Sequence, residues 1–257
     1  DILYCTIGRV SKLIVTVMES PRMTFYFDIG SPFSYIAFHV LQVSLISWKV
    51  LESMITALTA LQNSPVFAGC AIDYVPVLLR DLFQKCQNSP PISVKNKFQW
   101  VNKERLYWSS RFGVPMSEPI PKGFPASTED AQVALSFIAQ SSSNELVKIA
   151  GKLFHMFWAN GNTHIANPDN FTAVIEEELG RELAKMVTNA TASSESKIHL
   201  NENTEKAFDS GAFGLPWFDC TNSDGEDEGF WGIDHLGRVA DFLRLDTTLD
   251  PAFKVLL

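Results

Sequence analysis

Ser31 stands directly before Pro32, inside the run Phe25-Tyr26-Phe27-Asp28-Ile29-Gly30-Ser31-Pro32-Phe33-Ser34. The aromatic stretch up to Phe27 has strand character and stops at an acid and a glycine. Proline suits the first turn of a helix and serine the cap before it. A strand therefore feeds a helix whose start presents the Ser31 hydroxyl together with free backbone N–H groups. Such a point favours a bound anion. Serine caps many helices without doing any chemistry, so the decapeptide alone marks a candidate site and no more.

The elements that must position this turn follow from periodicity. Met23 to Asp28 predicts a first strand, and Pro32 to about Gln42 a helix with apolar Phe33, Ile36, Ala37 and Val40 at helical spacing. Cys70 to Val77 is rich in β-branched residues and predicts a second strand, parallel to the first. From Leu78 to roughly Leu200 the texture is helical, with segments at Leu78–Phe83, Lys97–Phe112, Thr128–Ser141, Asn144–Asn160 and Asn170–Thr188. Ser193 to Lys197 and Asn201 to Lys206 are polar, as a connecting segment and a helix surface would be. Gly211 to Asp219, a turn at Asp224-Gly225 and Gly229 to Gly232 predict a hairpin, and Leu236 to Leu245 a closing helix. Residues 43–62 fit none of this. Excising them joins Gln42 to Asn63-Ser64-Pro65, a sensible helix end. This stretch is either a family-specific loop or a translated retained intron; mature message without a shorter spliced form would exclude the intron.

Composition narrows the function classes. The chain has 257 residues, 46% hydrophobic, 19% charged and 12% aromatic, which describes an ordinary globule. A formal net charge of −8 with no basic stripe argues against a nucleic-acid partner. Asp224 to Glu228 lacks the ligand spacing of a calcium loop. Cys5, Cys70, Cys86 and Cys220 form no Cys-x-x-Cys pair, and the histidines form no metal-ligand pattern, so no metal is expected. No apolar run is long enough to cross a membrane, and residues 1–22 lack the features of a secretory signal. With Met18 and Met23 just ahead of the first strand, residues 1–17 are expected to be a leader or an upstream extension.

Four landmarks now stand in order: the serine turn; Asn88-Ser89-Pro90-Pro91 followed by Lys97; Gly211-Ala212-Phe213-Gly214-Leu215-Pro216; and Phe230-Trp231-Gly232-Ile233-Asp234. Over roughly residues 24–245 the chain resembles the kappa class of glutathione transferases and its relative 2-hydroxychromene-2-carboxylate isomerase, in the DsbA-like branch of thioredoxin folds. The resemblance implies an α/β fold of thioredoxin type with an inserted all-helical domain. Residues 23–80 plus 208–250 would form the thioredoxin-like part, 81–207 the helical insertion and 1–22 the extension. Redox proteins of this type carry Cys-x-x-Cys at the strand-to-helix turn. Here both positions are serine, Ser31 and Ser34, so a disulfide oxidoreductase is disfavoured and a thiol must come from the ligand.

The resemblance implies glutathione as co-substrate. Ser31 would donate a hydrogen bond to its sulfur and is the expected catalytic residue. Leu215, ahead of a cis Pro216, would pair through its backbone with the cysteinyl unit. Asp234, with the backbone of Ile233, would take the α-ammonium, Lys97 a carboxylate, and Asn88 a nearby polar group. Phe33, where the family often has tyrosine, would line the site; His235 replaces a common arginine. Ser31 and Asp234 are also expected caps, and Lys97 reads equally as a surface cation. The second substrate would be a hydrophobic electrophile among helices bearing Phe98, Trp100, Tyr107 and Trp108. A homodimer is implied. An isomerase using the same glutathione pocket and a non-catalytic thiol-peptide binder are the alternatives. Relatives occur in the mitochondrion and peroxisome; the C-terminal Lys254-Val255-Leu256-Leu257 is not a Ser-Lys-Leu-type address, and a cytoplasmic location stays open, with secretion not expected.

Overall fold

A computed structural model describes residues 20–42 and 65–256. The expectations for residues 1–17 and 43–62 lie outside the described residues. Strand β1 spans Arg22–Phe27 and leads through the serine turn into helix α1, Pro32–Leu41. Strand β2 (Ala71–Pro76) follows, then helices α2 (Leu79–Lys85), α3 (Lys97–Arg111), α4 (Glu129–Ser141), α5 (Ser143–Phe154), α6 (Pro168–Leu179), α7 (Arg181–Thr191) and α8 (Ser194–Asp209). Strands β3 (Trp217–Thr221) and β4 (Asp227–Trp231) form the hairpin, and α9 (Leu236–Phe242) closes the order.

The strands lie in the order β2-β1-β3-β4. β1 and β2 are parallel with Phe25 opposite Tyr74, whereas β3 runs antiparallel to β1 with Phe218 opposite Phe25. The hairpin pairs Phe218 with Phe230. This is the α/β thioredoxin-like architecture expected from the sequence, with the helices α2 to α8 between β2 and β3.

Period-2 alternation explains the core. Phe25, Phe27, Phe218 and Phe230 share one face of the sheet and meet Phe38 of α1 and Phe154 of α5. Phe25 lies 5.7 Å from Phe218 and Phe27 lies 5.7 Å from Phe154, ring centre to ring centre. Each such ring contributes about 1.5–3 kcal/mol by burial and aromatic pairs add about 0.5–1.5 kcal/mol. The opposite face carries Tyr26 and Trp217 against Leu82, Ala207 and Ala212. Trp217 stands opposite Trp231 in the hairpin and fits because the diagonal position, opposite Asp219, is glycine: a Cβ on Gly229 would stand 2.3 Å from the Trp217 ring.

Several expected boundaries move for local reasons. The helix expected over Asn170–Thr188 is two, α6 and α7, because Gly180 adopts φ 91° and ends the first. Ser193 to Lys197 is no connector: Ser193 caps α8, accepting the Ser196 N–H at 3.3 Å, and its polarity is that of a helix start. The helix from Ser143 passes into a π-helical turn over His155–Ala159. The last helix ends at Phe242, three residues early, with Arg244 left-handed just beyond it. Trp108 does not belong to an open wall: it packs into the core near Phe112, and its indole N–H donates to Glu104 at 3.1 Å. Trp100 and Tyr107 are the exposed aromatics of α3.

Candidate functional site

The serine turn closes on itself first. Ser31 N–H donates to the Asp28 carbonyl at 2.9 Å and Tyr35 N–H to the Ser31 carbonyl at 3.1 Å. The Ser31 hydroxyl oxygen accepts the Ser34 N–H at 3.1 Å, a side-chain cap on α1. Pro32 has no N–H to offer. Of the first-turn donors, that leaves the Phe33 N–H without a partner among the described residues. The sequence predicts several free N–H groups here; the cap consumes one of them.

The Ser31 proton is only loosely held. Its hydroxyl is 3.4 Å from the Leu215 carbonyl, at the long end of hydrogen bonding, and Ser31 is 4% exposed. The Leu215–Pro216 peptide is cis, as the resemblance implies. Ser34, one turn along α1, is fully buried, and its hydroxyl has no partner among the described residues. Phe33 is half-buried against the core.

Beneath the turn lies the Asp28 carboxyl. One oxygen accepts Gly30 N–H at 2.8 Å and the other Leu79 N–H at 2.9 Å, so it ties the serine turn to the start of α2. Burial pushes this carboxyl above the ordinary carboxylate range. The Gly30 and Leu79 N–H groups, the Thr128 hydroxyl and the Arg80 guanidinium oppose that rise.

Of the remaining expected residues, Asn88 and the Ile233-Asp234 turn adjoin the loop before Pro216. The Asn88 side-chain amide donates to the Phe213 carbonyl at 3.0 Å, joining the Asn-Ser-Pro-Pro turn to that loop. Phe213 is exposed and lies 5.0 Å from the exposed Trp231 ring. Gly232 N–H donates to the Pro216 carbonyl at 3.1 Å, which brings the Ile233-Asp234 turn beside the loop. Ile233 is buried and Asp234 exposed, the latter's carboxylate 3.5 Å from the His235 ring. Lys97 is exposed at the first position of α3 and makes no ion pair among the described residues.

Three residues of the helical stretch reach the serine turn and were missed in the sequence. Gln132 Oε1 accepts the Ile29 N–H at 3.3 Å, and its Nε2 donates to the Phe27 and Val77 carbonyls at 2.9 and 2.8 Å. Trp158 Nε1 donates to the Ile29 carbonyl at 2.9 Å. The Thr128 methyl lies 3.1 Å from where a Cβ on Gly30 would stand, so glycine suits that position. The available signal was Gln132 itself, a polar residue within apolar Ala131-Gln132-Val133-Ala134-Leu135.

The chain is similar in sequence and in fold to known proteins. A profile for the DSBA-like thioredoxin domain matches residues 22–244. The chain is 25% identical over 230 residues to glutathione S-transferase kappa 1 of Caenorhabditis elegans, covering 87% of this chain and 91% of that protein. It is 24% identical to glutathione S-transferase kappa 1 of Rattus norvegicus, over 87% and 92% of the two. The solved structure of 2-hydroxychromene-2-carboxylate isomerase superposes with a TM-score of 0.65 at 19% identity, over 86% of this chain and 93% of that one.

Proposed function

The chain belongs to the DsbA-like thioredoxin-domain family, and from that premise we propose that it is a glutathione transferase of the kappa type. The observation that carries this reading is the pairing at Ser31. Its oxygen is committed to the Ser34 N–H, while its proton faces a carbonyl 3.4 Å away and is free to turn to a better acceptor. A thiolate is such an acceptor. The chain has serine at both positions of the dithiol motif, so the reacting sulfur is glutathione's.

In this reading the Ser31 O–H leaves the Leu215 carbonyl for the sulfur, and the Phe33 N–H at the helix start supports the same charge. A hydrogen bond to a charged group is worth about 1.5–3 kcal/mol and a helix N-terminus about 0.3–1 kcal/mol. Against an ordinary cysteine thiol near pKa ~8.5 and 1.36 kcal/mol per unit, the two together bring the midpoint to about 6–7. Leu215 and Pro216 receive the cysteinyl backbone, Ile233 and Asp234 the α-ammonium end, and Lys97 and Asn88 a carboxylate and its surroundings. The thiolate attacks a hydrophobic electrophile: an S–C bond forms and the leaving group departs with its electron pair. A peroxide would instead be reduced at the expense of two glutathione molecules. A homodimer is part of the proposal.

The test is glutathione added to the purified protein. The expected results are a rise in melting temperature with ligand concentration and conjugation of 1-chloro-2,4-dinitrobenzene. No melting shift at millimolar glutathione would refute the reading. A shift with isomerisation of 2-hydroxychromene-2-carboxylate and no conjugation would favour the isomerase, whose fold this chain shares. A shift with neither reaction would leave a thiol-peptide binding module.

A further inference from the structure

We propose that Gln132 and Trp158 are positioning residues that hold the Ser31 hydroxyl and the Phe33 N–H in register for the sulfur; this rests on the reading above. Ile29 lies two residues before Ser31, and both of its main-chain polar groups end on side chains more than a hundred positions away. Its N–H goes to Gln132 Oε1 at 3.3 Å and its carbonyl to Trp158 Nε1 at 2.9 Å. The turn is therefore gripped from the helical stretch on both sides of one peptide residue.

The Gln132 amide cannot turn over. Its two N–H bonds point at the Phe27 and Val77 carbonyls and its oxygen at an N–H, and a flip would set donors against a donor. The side chain is wholly buried. Phe27 O retains the Val77 N–H if Gln132 is removed, but Ile29 N–H and Val77 O would be left unpaired in the interior. Those groups lie just beyond the ends of β1 and β2, and the serine turn departs from the first of them. Trp158 reaches Ile29 from the π-helical turn at His155–Ala159, an arrangement that occurs often at functional sites. The chain from Phe27 to Ser31 is thus fixed at each step: Gln132 on Phe27 O, Gln132 and Trp158 on Ile29, Asp28 on the Gly30 and Ser31 N–H groups. What remains to reorient is the serine hydroxyl alone.

The experiment compares the wild type with Gln132→Met, Trp158→Phe and the distant core change Val187→Ala. Two readouts are used: the ionisation midpoint of bound glutathione from thiolate absorbance, and kcat and KM for conjugation. The expected result is a midpoint about one unit higher in Gln132→Met, tenfold in the thiolate equilibrium. At about pH 5.5, below both midpoints, kcat should fall about tenfold while KM for glutathione moves less than threefold. Trp158→Phe should shift the midpoint in the same direction, and Val187→Ala should lower only the melting temperature. If Gln132→Met does not fold, Trp158→Phe decides. An unchanged midpoint and kcat in the folded variants, with only the melting temperature lowered, overturns the positioning role. A wild-type midpoint equal to that of the free tripeptide overturns the glutathione reading and this inference with it.

Discussion

Replacing Ser31 by alanine separates two jobs that one hydroxyl performs. As a cap it accepts the Ser34 N–H at 3.1 Å, and losing a serine cap costs about 0.5–2 kcal/mol. In a chain of this length that lowers the melting temperature by about 2–4 °C per kcal/mol, so the fold survives. As a donor to the sulfur the same group is worth about 1.5–3 kcal/mol, which is about 10- to 150-fold in the thiolate equilibrium. Because the wild-type thiol is already largely ionised at pH 7, Ser31→Ala should lower turnover at that pH by about 5- to 20-fold with little loss of structure. The deficit should shrink near pH 9, where the thiol ionises unaided. The assay is steady-state conjugation across pH alongside thermal melts. Turnover of Ser31→Ala within twofold of the wild type at pH 7 would refute the reasoning.

Other perturbations probe the frame around the site. Arg105 is buried and donates to Asn102 Oδ1 at 2.8 Å and to the Ser117 and Glu118 carbonyls at 2.7 Å each. Arg105→Met strands these acceptors; the expected loss is about 2–4 kcal/mol, a melting temperature about 5–15 °C lower, read by calorimetry. Glu178 is held by Lys148 and Lys152 at 2.8 Å each, and these bonds bring its carboxyl down to about 2. Because the folded value lies below the unfolded one, its contribution is present above the ordinary glutamate range and is lost as pH falls towards 2. Glu178→Gln should therefore flatten the decline in melting temperature between pH 5 and pH 2. Finally, a chain with all four cysteines replaced by serine or alanine should keep conjugation within about threefold of the wild type. Burial raises the Cys70 thiol to about 12 and pushes Cys220 up further still, so neither is a nucleophile near neutral pH.

The parts of the fold governed by neighbours in the chain were legible. The aromatic run ending in Asp-Ile-Gly-Ser-Pro gave β1, the turn and α1 because capping and proline geometry act within four residues. The hairpin was readable from its glycines, and the turn is closed by the Asn222 side chain accepting the Asp224 and Glu226 N–H groups. What failed was local ambiguity. Serine and lysine in a polar tract describe a connector or a capped helix equally well, and Ser193 turned out to be the cap. Gly180 is one glycine without proline beside it, and periodicity ran through it. Aromatics on α3 carried no label for the side they face, so Trp108 was grouped with the open Trp100 and Tyr107.

The site was legible only on its near side. Ser31 and Leu215 meet across 184 positions, and only motif order pointed to that meeting. Gln132 and Trp158 touch Ile29 from 103 and 129 positions away, and no spacing in the chain encodes those contacts. A glutamine inside an apolar helix face was the single trace, because burial of an amide demands partners without naming them.

Glutathione bound to the wild-type protein, titrated by its thiolate absorbance from pH 5 to pH 10, bears most directly on whether Ser31 and the start of α1 ionise a ligand's sulfur. The account predicts a midpoint of about 6–7, from the hydrogen-bond and helix-terminus terms together. A midpoint at about 8.5 or above, the ordinary cysteine range, would contradict it.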